Sequence, residues 1–139
     1  MSNINQTILI RTDLFNLPED MGLMAAQVAH IHMEGLRGVF LDHFMGNKIS
    51  EDDLSGSNLI EWLKDPYILV KKVPNLEALN HFNKAAEDIH ITVREWQDTV
   101  YVRLSQTMKQ AFPDTVVGIS LGPCDSDAIR TVVGDIPLL

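Results

Sequence analysis

The residues best suited to chemistry lie in one short stretch of this 139-residue chain, Val93-Arg94-Glu95-Trp96-Gln97-Asp98-Thr99. Two carboxylates and a hydroxyl this close together are groups that general acid–base chemistry can use. Arg94 adds a cation, and Trp96 adds an indole able to stack on a base or fill a partner's pocket. The same residues also read as ordinary structure. Glu95 and Asp98 fit solvated turn carboxylates, Thr99 fits the start of a strand, and Trp96 fits packing over a sheet edge. A second set surrounds the first turn of the chain. Arg11 and Asp13 either pair with each other or present charge to a cleft, and Gln27 and His30, three apart on one helix face, either hold a structural hydrogen bond or support a site. Lys71 and Lys72 are candidates for contacting phosphate, but adjacent strand residues face opposite ways, so at most one can line a cleft.

Other reactive side chains form no pattern. His30 and His32 are two apart and point to different helix faces, while His43, His81 and His90 show no ligand spacing with them, so neither a metal nor a cofactor is expected. Cys124 follows Gly122-Pro123 at a predicted helix start, a place that lowers a thiol pKa, yet no histidine or second cysteine accompanies it.

These residues sit on an alternation of strands and helices. Gln6–Arg11 is β-rich and reads as a strand. Pro18-Glu19-Asp20 is a helix start, and Met21, Ala25, Val28, Leu36 and Val39 recur at helical spacing as far as Phe44, with weak points at Gly35 and Gly38. Asn58 caps a short helix that stops near Asp65, because Pro66 follows. Tyr67–Val70 is a buried strand, and Asn75 caps a helix whose inner face carries Leu76, Leu79, Phe82 and Ala86. Ile89, Ile91 and Val93 alternate as a third strand, which Val100, Val102 and Leu104 either extend after a bend or pair with as a hairpin. Ser105–Asp114 reads as a connection, Thr115–Ser120 as the fourth strand, and Asp125 or Ser126 caps a last helix that Gly134 ends. The expected fold class is α/β: a single domain over residues 1–139 with a four-stranded mixed, mostly parallel sheet flanked by helices.

Composition bounds the function. Apolar residues make up 45% and charged residues 22%, ordinary globular values that rule out a disordered or collagen-like chain. No apolar run approaches a membrane span, no cationic leader precedes a long apolar segment, and a single cysteine suits a reducing compartment, so a cytoplasmic protein without membrane partners is expected. The net charge of −8 disfavours bulk nucleic-acid binding. Six acids and two bases fall between residues 42 and 65, around an acidic, Gly- and Ser-rich loop near 46–58.

Arg11-Thr12-Asp13-Leu14, then Gly22, then Ala25-Ala26-Gln27-Val28-Ala29-His30 resembles the opening signature of the type 2 peptidyl-tRNA hydrolase family. Tyr67–Pro74 is similar to that family's second strand, Val117–Pro123 to its last strand and Gly-Pro turn, and Gly134–Leu139 to its ending. The resemblance covers essentially the whole chain. It implies hydrolysis of the ester that joins a peptide to the terminal ribose of tRNA. The family's D-x-x-x-T stretch falls on Glu95 and Thr99, and Leu23 stands where the family carries a lysine. On this reading Glu95, Thr99, Arg11 and Asp13 are the catalytic candidates, with Arg11 replacing the absent lysine's charge. Gln27, His30, Lys71, Arg94 and Trp96 are the substrate-binding candidates, and peptidyl-tRNA is the expected partner. The alternatives are a catalytically silent or repurposed binding module, and a homodimer associating through Met21, Leu23 and Met24. An active tRNA enzyme should show a basic rim at Arg11, Lys71 or Lys72 and Arg94. A silent module should bury Leu23 against Trp96.

Overall fold

The structure is a computed structural model and describes residues 3–44, 59–105 and 107–139. The chain runs β1 (Ile4–Arg11), a 3₁₀ turn (Pro18–Asp20), α1 (Met21–Phe44), α2 (Leu59–Lys64), β2 (Tyr67–Val73), α3 (Leu76–Asp88), β3 (Val93–Arg103), β4 (Lys109–Asp125) and α4 (Ser126–Val133). The four strands form one mixed sheet in the order β2-β1-β4-β3. Only β1 and β2 pair in parallel; β4 runs antiparallel to both β1 and β3. The expected α/β sheet is therefore present, but two of its three interfaces are antiparallel. The physical reason is the β3–β4 connection, which is a hairpin and not a helical crossover. The acidic loop near 46–58 and the Asn58 cap lie outside the described residues.

β1 is buried from Asn5 to Arg11 because both its faces are covered, and its apolar run is Ile8-Leu9-Ile10. Ile8 and Ile10 join Leu14, Met24, Ile31, Val100, Val102 and Val117 beneath α1. Leu9 faces the other way, into Val73, Leu79, Ala86, Ile119, Leu121, Ile129 and Val133 beneath α3 and α4. Asn75 caps α3 as expected, its Oδ1 accepting from the Ala78 N–H at 2.9 Å. At α4 it is Asp125 that caps, its carboxylate accepting from the Asp127 N–H at 3.1 Å.

The two glycines that weaken α1 by sequence are what let it lie close on the sheet. A Cβ at Gly35 would collide with Ser120 Oγ and stand 2.6 Å from Gln6 Nε2. At Gly38 it would meet the Arg94 side chain at 2.5 Å. Below Gly35 runs a buried polar network: Gln6 Nε2 donates to Ser120 Oγ at 2.9 Å and to the His32 carbonyl at 3.1 Å, while its Oε1 meets His32 Nδ1 at 2.6 Å.

Two expected boundaries move. The alternation at Ile89 and Ile91 is not strand. The Ile89 and Ile91 amides both donate to the Ala86 carbonyl, and His90 sits in the left-handed region at φ 63°, so these residues end α3. The turn happens to mimic a period of two. Ser105–Asp114 is not a connection either. Val100, Val102 and the residues after them extend β3, and the chain returns as β4 from Lys109, with Arg103 opposite Lys109 and Val100 opposite Phe112. Pro113 and Asp114 together oppose Thr99 and form a bulge, the one kind of site inside a sheet that readily tolerates proline.

Candidate functional site

A cleft of about 250 Å³ opens between the start of α1 and the middle of the β3–β4 ribbon. Its lining combines apolar Leu14, Phe15, Leu23, Val100 and Tyr101 with polar Asp20, Gln27, Asp98 and Thr99. Two irregularities of β4 shape it. Pro113-Asp114 bulges opposite Thr99, and Val117 is extra between the Trp96–Gly118 and Gln97–Val116 pairs. Bulges beside a site are a recurrent way of re-aiming side chains.

The polar groups are tied together. Gln27 Oε1 accepts from the Trp96 indole N–H at 2.7 Å, and Gln27 Nε2 donates to Asp98 Oδ2 at 3.0 Å. Asp98 Oδ1 accepts from the Thr99 backbone N–H at 2.8 Å. Thr99 Oγ1 accepts from the Asp114 N–H at 3.4 Å, which leaves its own hydrogen able to turn toward the cleft. The His30 ring lies parallel to Trp96, centroids 4.8 Å apart and planes within 8°. α1 therefore presents Gln27 and His30 to β3 together, as their three-residue spacing requires.

The structure divides the remaining candidates. Along β3, Arg94, Trp96, Asp98 and Val100 turn toward α1, and Glu95 turns the other way. Its Oε1 accepts from Asn83 Nδ2 of α3 at 2.8 Å, on the opposite face of the sheet from Gln27. Arg94 reaches Glu34 of α1 at 3.0 Å. Arg11 is 4% exposed. It grips Asp13 with two parallel hydrogen bonds of 3.0 and 2.8 Å and donates to Thr115 Oγ1 at 2.7 Å and the Val116 carbonyl at 3.1 Å. Lys71 is buried on the α4 side, where Nζ donates to the carbonyls of Val133 at 3.0 Å and Ile136 at 3.2 Å. Of the expected basic rim, only Lys72 stands exposed, beside a shallow depression lined by Thr12, Val73, Pro74 and Pro137.

Leu23 is 55% exposed on the lip of the cleft and is not sealed against Trp96. Met21 is exposed as well, but Met24 turns into the core, so the three residues do not form one patch. Cys124 is fully buried. Two carboxylates line the cleft, Asp20 and Asp98. Asp98 stands beside Glu95 among the sequence candidates, and counting in twos from Trp96 puts it, not Glu95, on the face toward α1. Asp20 looked like a helix-start acid and nothing more.

The family model of peptidyl-tRNA hydrolase PTH2 matches residues 4–139, and the chain belongs to that family. Its function is accordingly peptidyl-tRNA hydrolase-like at the level of the family. No curated protein matches the chain. Among the described residues no helix is long and apolar enough to cross a membrane.

Proposed function

We propose that this protein hydrolyses the ester between a peptide or an N-blocked amino acid and tRNA, in the cleft between α1 and the β3–β4 ribbon. The observation that carries the reading is the Asp98 carboxylate, held from one side by Gln27 and from the other by the Thr99 amide, on the wall of a cleft large enough for an acyl group. A carboxylate fixed in this way can orient a water and take up its proton as the water attacks the ester carbonyl. The Thr99 hydroxyl, next in the chain, donates to the oxygen that gains charge. His30 and Trp96 offer a flat surface at the same wall for a base or a planar acyl group.

Arg11 and Asp13 act in this reading as positioning residues. Arg11 clamps Thr115 and Val116, and Thr115 is the residue that pairs with Asp98. Glu95 carries no step, because the sheet lies between it and Gln27.

The test is release of a labelled N-acetylated amino acid from tRNA by the purified protein. Turnover that falls at least about 100-fold in Asp98→Asn and Thr99→Val, but only about threefold or less in Glu95→Gln, supports the assignment. A wild type with no turnover above background defeats it. That outcome would favour the second reading, a silent binding module, for which the engagement of Arg11, Lys71 and Arg94 with internal partners is the supporting observation.

A further inference from the structure

On the face of the sheet away from the cleft, β1, β2 and one side of α4 enclose a small cavity of about 130 Å³. Asn5 and Thr7 of β1 and Lys71 of β2 line it from the sheet, and Ser126 and Arg130 line it from α4. Period two puts Asn5 and Thr7 on the same side of β1 as Leu9, the side that packs beneath α3 and α4. The cavity holds more donors than acceptors. Lys71 is 9% exposed, and two of its three ammonium hydrogens go to the carbonyls of Val133 at 3.0 Å and Ile136 at 3.2 Å. No acid is among the residues that line the cavity, so no carboxylate there balances the charge. Asn5 is 5% exposed, and its Oδ1 accepts from Thr7 Oγ1 at 2.8 Å, which turns Nδ2 away from Thr7. That Nδ2 has no partner among the described residues, yet it keeps accessible surface. The Ser126 hydroxyl likewise bonds to no described residue. Buried donors of this kind are kept where something completes them. Water brings donors as well as acceptors. An oxyanion brings acceptors alone and a charge opposite to that of Lys71. The space is too small for a nucleotide and suits a small ion.

We propose that this cavity binds a tetrahedral oxyanion, either inorganic phosphate or the terminal group of a phosphate monoester. Asn5 Nδ2, the third hydrogen of Lys71 and the Ser126 hydroxyl donate to its oxygens. Arg130 stands exposed at the mouth. One of its nitrogens meets Asp127 at 2.8 Å, which leaves the rest of the guanidinium for the ligand. The site stands apart from the hydrolase reading, because the sheet lies between it and α1. Its effect is local. The ion ties β1 to α4 and, through Lys71, to the chain end at Ile136, so occupancy stabilises that corner of the fold.

The test titrates inorganic phosphate, glycerol 3-phosphate and acetate separately into the intact, isotope-labelled protein at constant ionic strength, followed by amide resonances. The wild type should show saturable shifts centred on the Asn5 side-chain amide and the Ser126 backbone amide. It should bind phosphate at least about tenfold more tightly than acetate, which brings fewer oxygens and less charge. Binding of glycerol 3-phosphate as well would show that the mouth admits a monoester, and binding of phosphate alone would identify the free ion as the ligand. Either pattern supports the site. Asn5→Leu removes the amide and should weaken phosphate binding at least about tenfold. Ser126→Glu sets a carboxylate over the cavity and should weaken it as much. The first turn of a helix favours an acid, so this second variant should fold, and the proposal stays open to refutation even if Asn5→Leu does not. No saturable shift in the wild type, equal affinity for acetate, shifts centred elsewhere, or an affinity unchanged in Ser126→Glu would each overturn it.

Discussion

Gln27 joins the indole of Trp96 to the carboxylate of Asp98, and its two arms can be cut separately. Gln27→Leu removes both at almost no cost in helix propensity. A neutral hydrogen bond contributes about 1 kcal/mol net and one to a charged group about 1.5–3 kcal/mol, and the site is half-buried, so the loss of stability should be about 2 kcal/mol. Asp98 then keeps only the Thr99 amide and can swing about its χ angles. A displacement on the order of 1 Å costs roughly 100-fold in rate, so hydrolysis of an N-acetylaminoacyl-tRNA should fall by about that factor in kcat with KM little changed. Gln27→Glu separates the arms. It still accepts from the indole but faces Asp98 with a second anion, so it should hold the Trp96 geometry, seen as unchanged tryptophan fluorescence, and still lose activity. The assays are single-turnover release of the labelled acyl group and urea unfolding. Gln27→Leu retaining activity within about twofold while losing the expected stability would show that Asp98 needs no positioning, and the catalytic assignment would fail with it.

Gly35→Ala should destabilise the protein by about 1–3 kcal/mol in urea unfolding, despite the better helix former, because the new methyl meets Ser120 Oγ and the buried Gln6 amide. Lys71→Met should cost about 1–3 kcal/mol by removing the Nζ donor from the Ile136 carbonyl and from the Val133 carbonyl, which keeps only the Ile136 amide, with hydrogen exchange rising selectively at the end of α4. Burial lowers the His32 pKa below its ordinary 6.5, so the unfolded chain takes up that proton first. The associated stability is fully present above 6.5 and declines as pH falls through 6.5 toward the lower folded value. Urea midpoints measured from about pH 7.5 to about pH 5.5 should fall more steeply for the wild type than for His32→Gln, and equal slopes would refute the assignment.

Helical spacing and capping residues were sufficient to place α1, α3 and α4 within a few residues, since Asn75 and Asp125 cap by local chemistry that needs no tertiary partner. The apolar run Tyr67–Val70 reads as a buried strand, but β2 lies at the edge of the sheet with Tyr67 and Ile68 exposed, because pairing on one side only leaves its outer end uncovered. The ordered fragments at residues 11–14, 25–30 and 117–123 were sufficient for the family. Gly35 and Gly38 show where local reading stops. By propensity they weaken a helix, and only the sheet beneath explains them, since contact with Ser120 and Arg94 leaves no room for a Cβ.

The site depends still more on the fold. Sequence brought Glu95, Asp98 and Thr99 together but could not say which of them share a cleft. That is decided by the face β3 presents to α1 and by bulges that lie on β4, about fifteen to twenty residues further along the chain. Charge is equally opaque in one dimension. Arg11, Lys71 and Arg94 looked like a basic rim, and the folded chain spends their hydrogens on Asp13, helix-end carbonyls and Glu34. Residue type and spacing set which groups the chain owns. Which of those groups remain unsatisfied, and so available to a substrate, is settled when distant segments close over them and use up their partners.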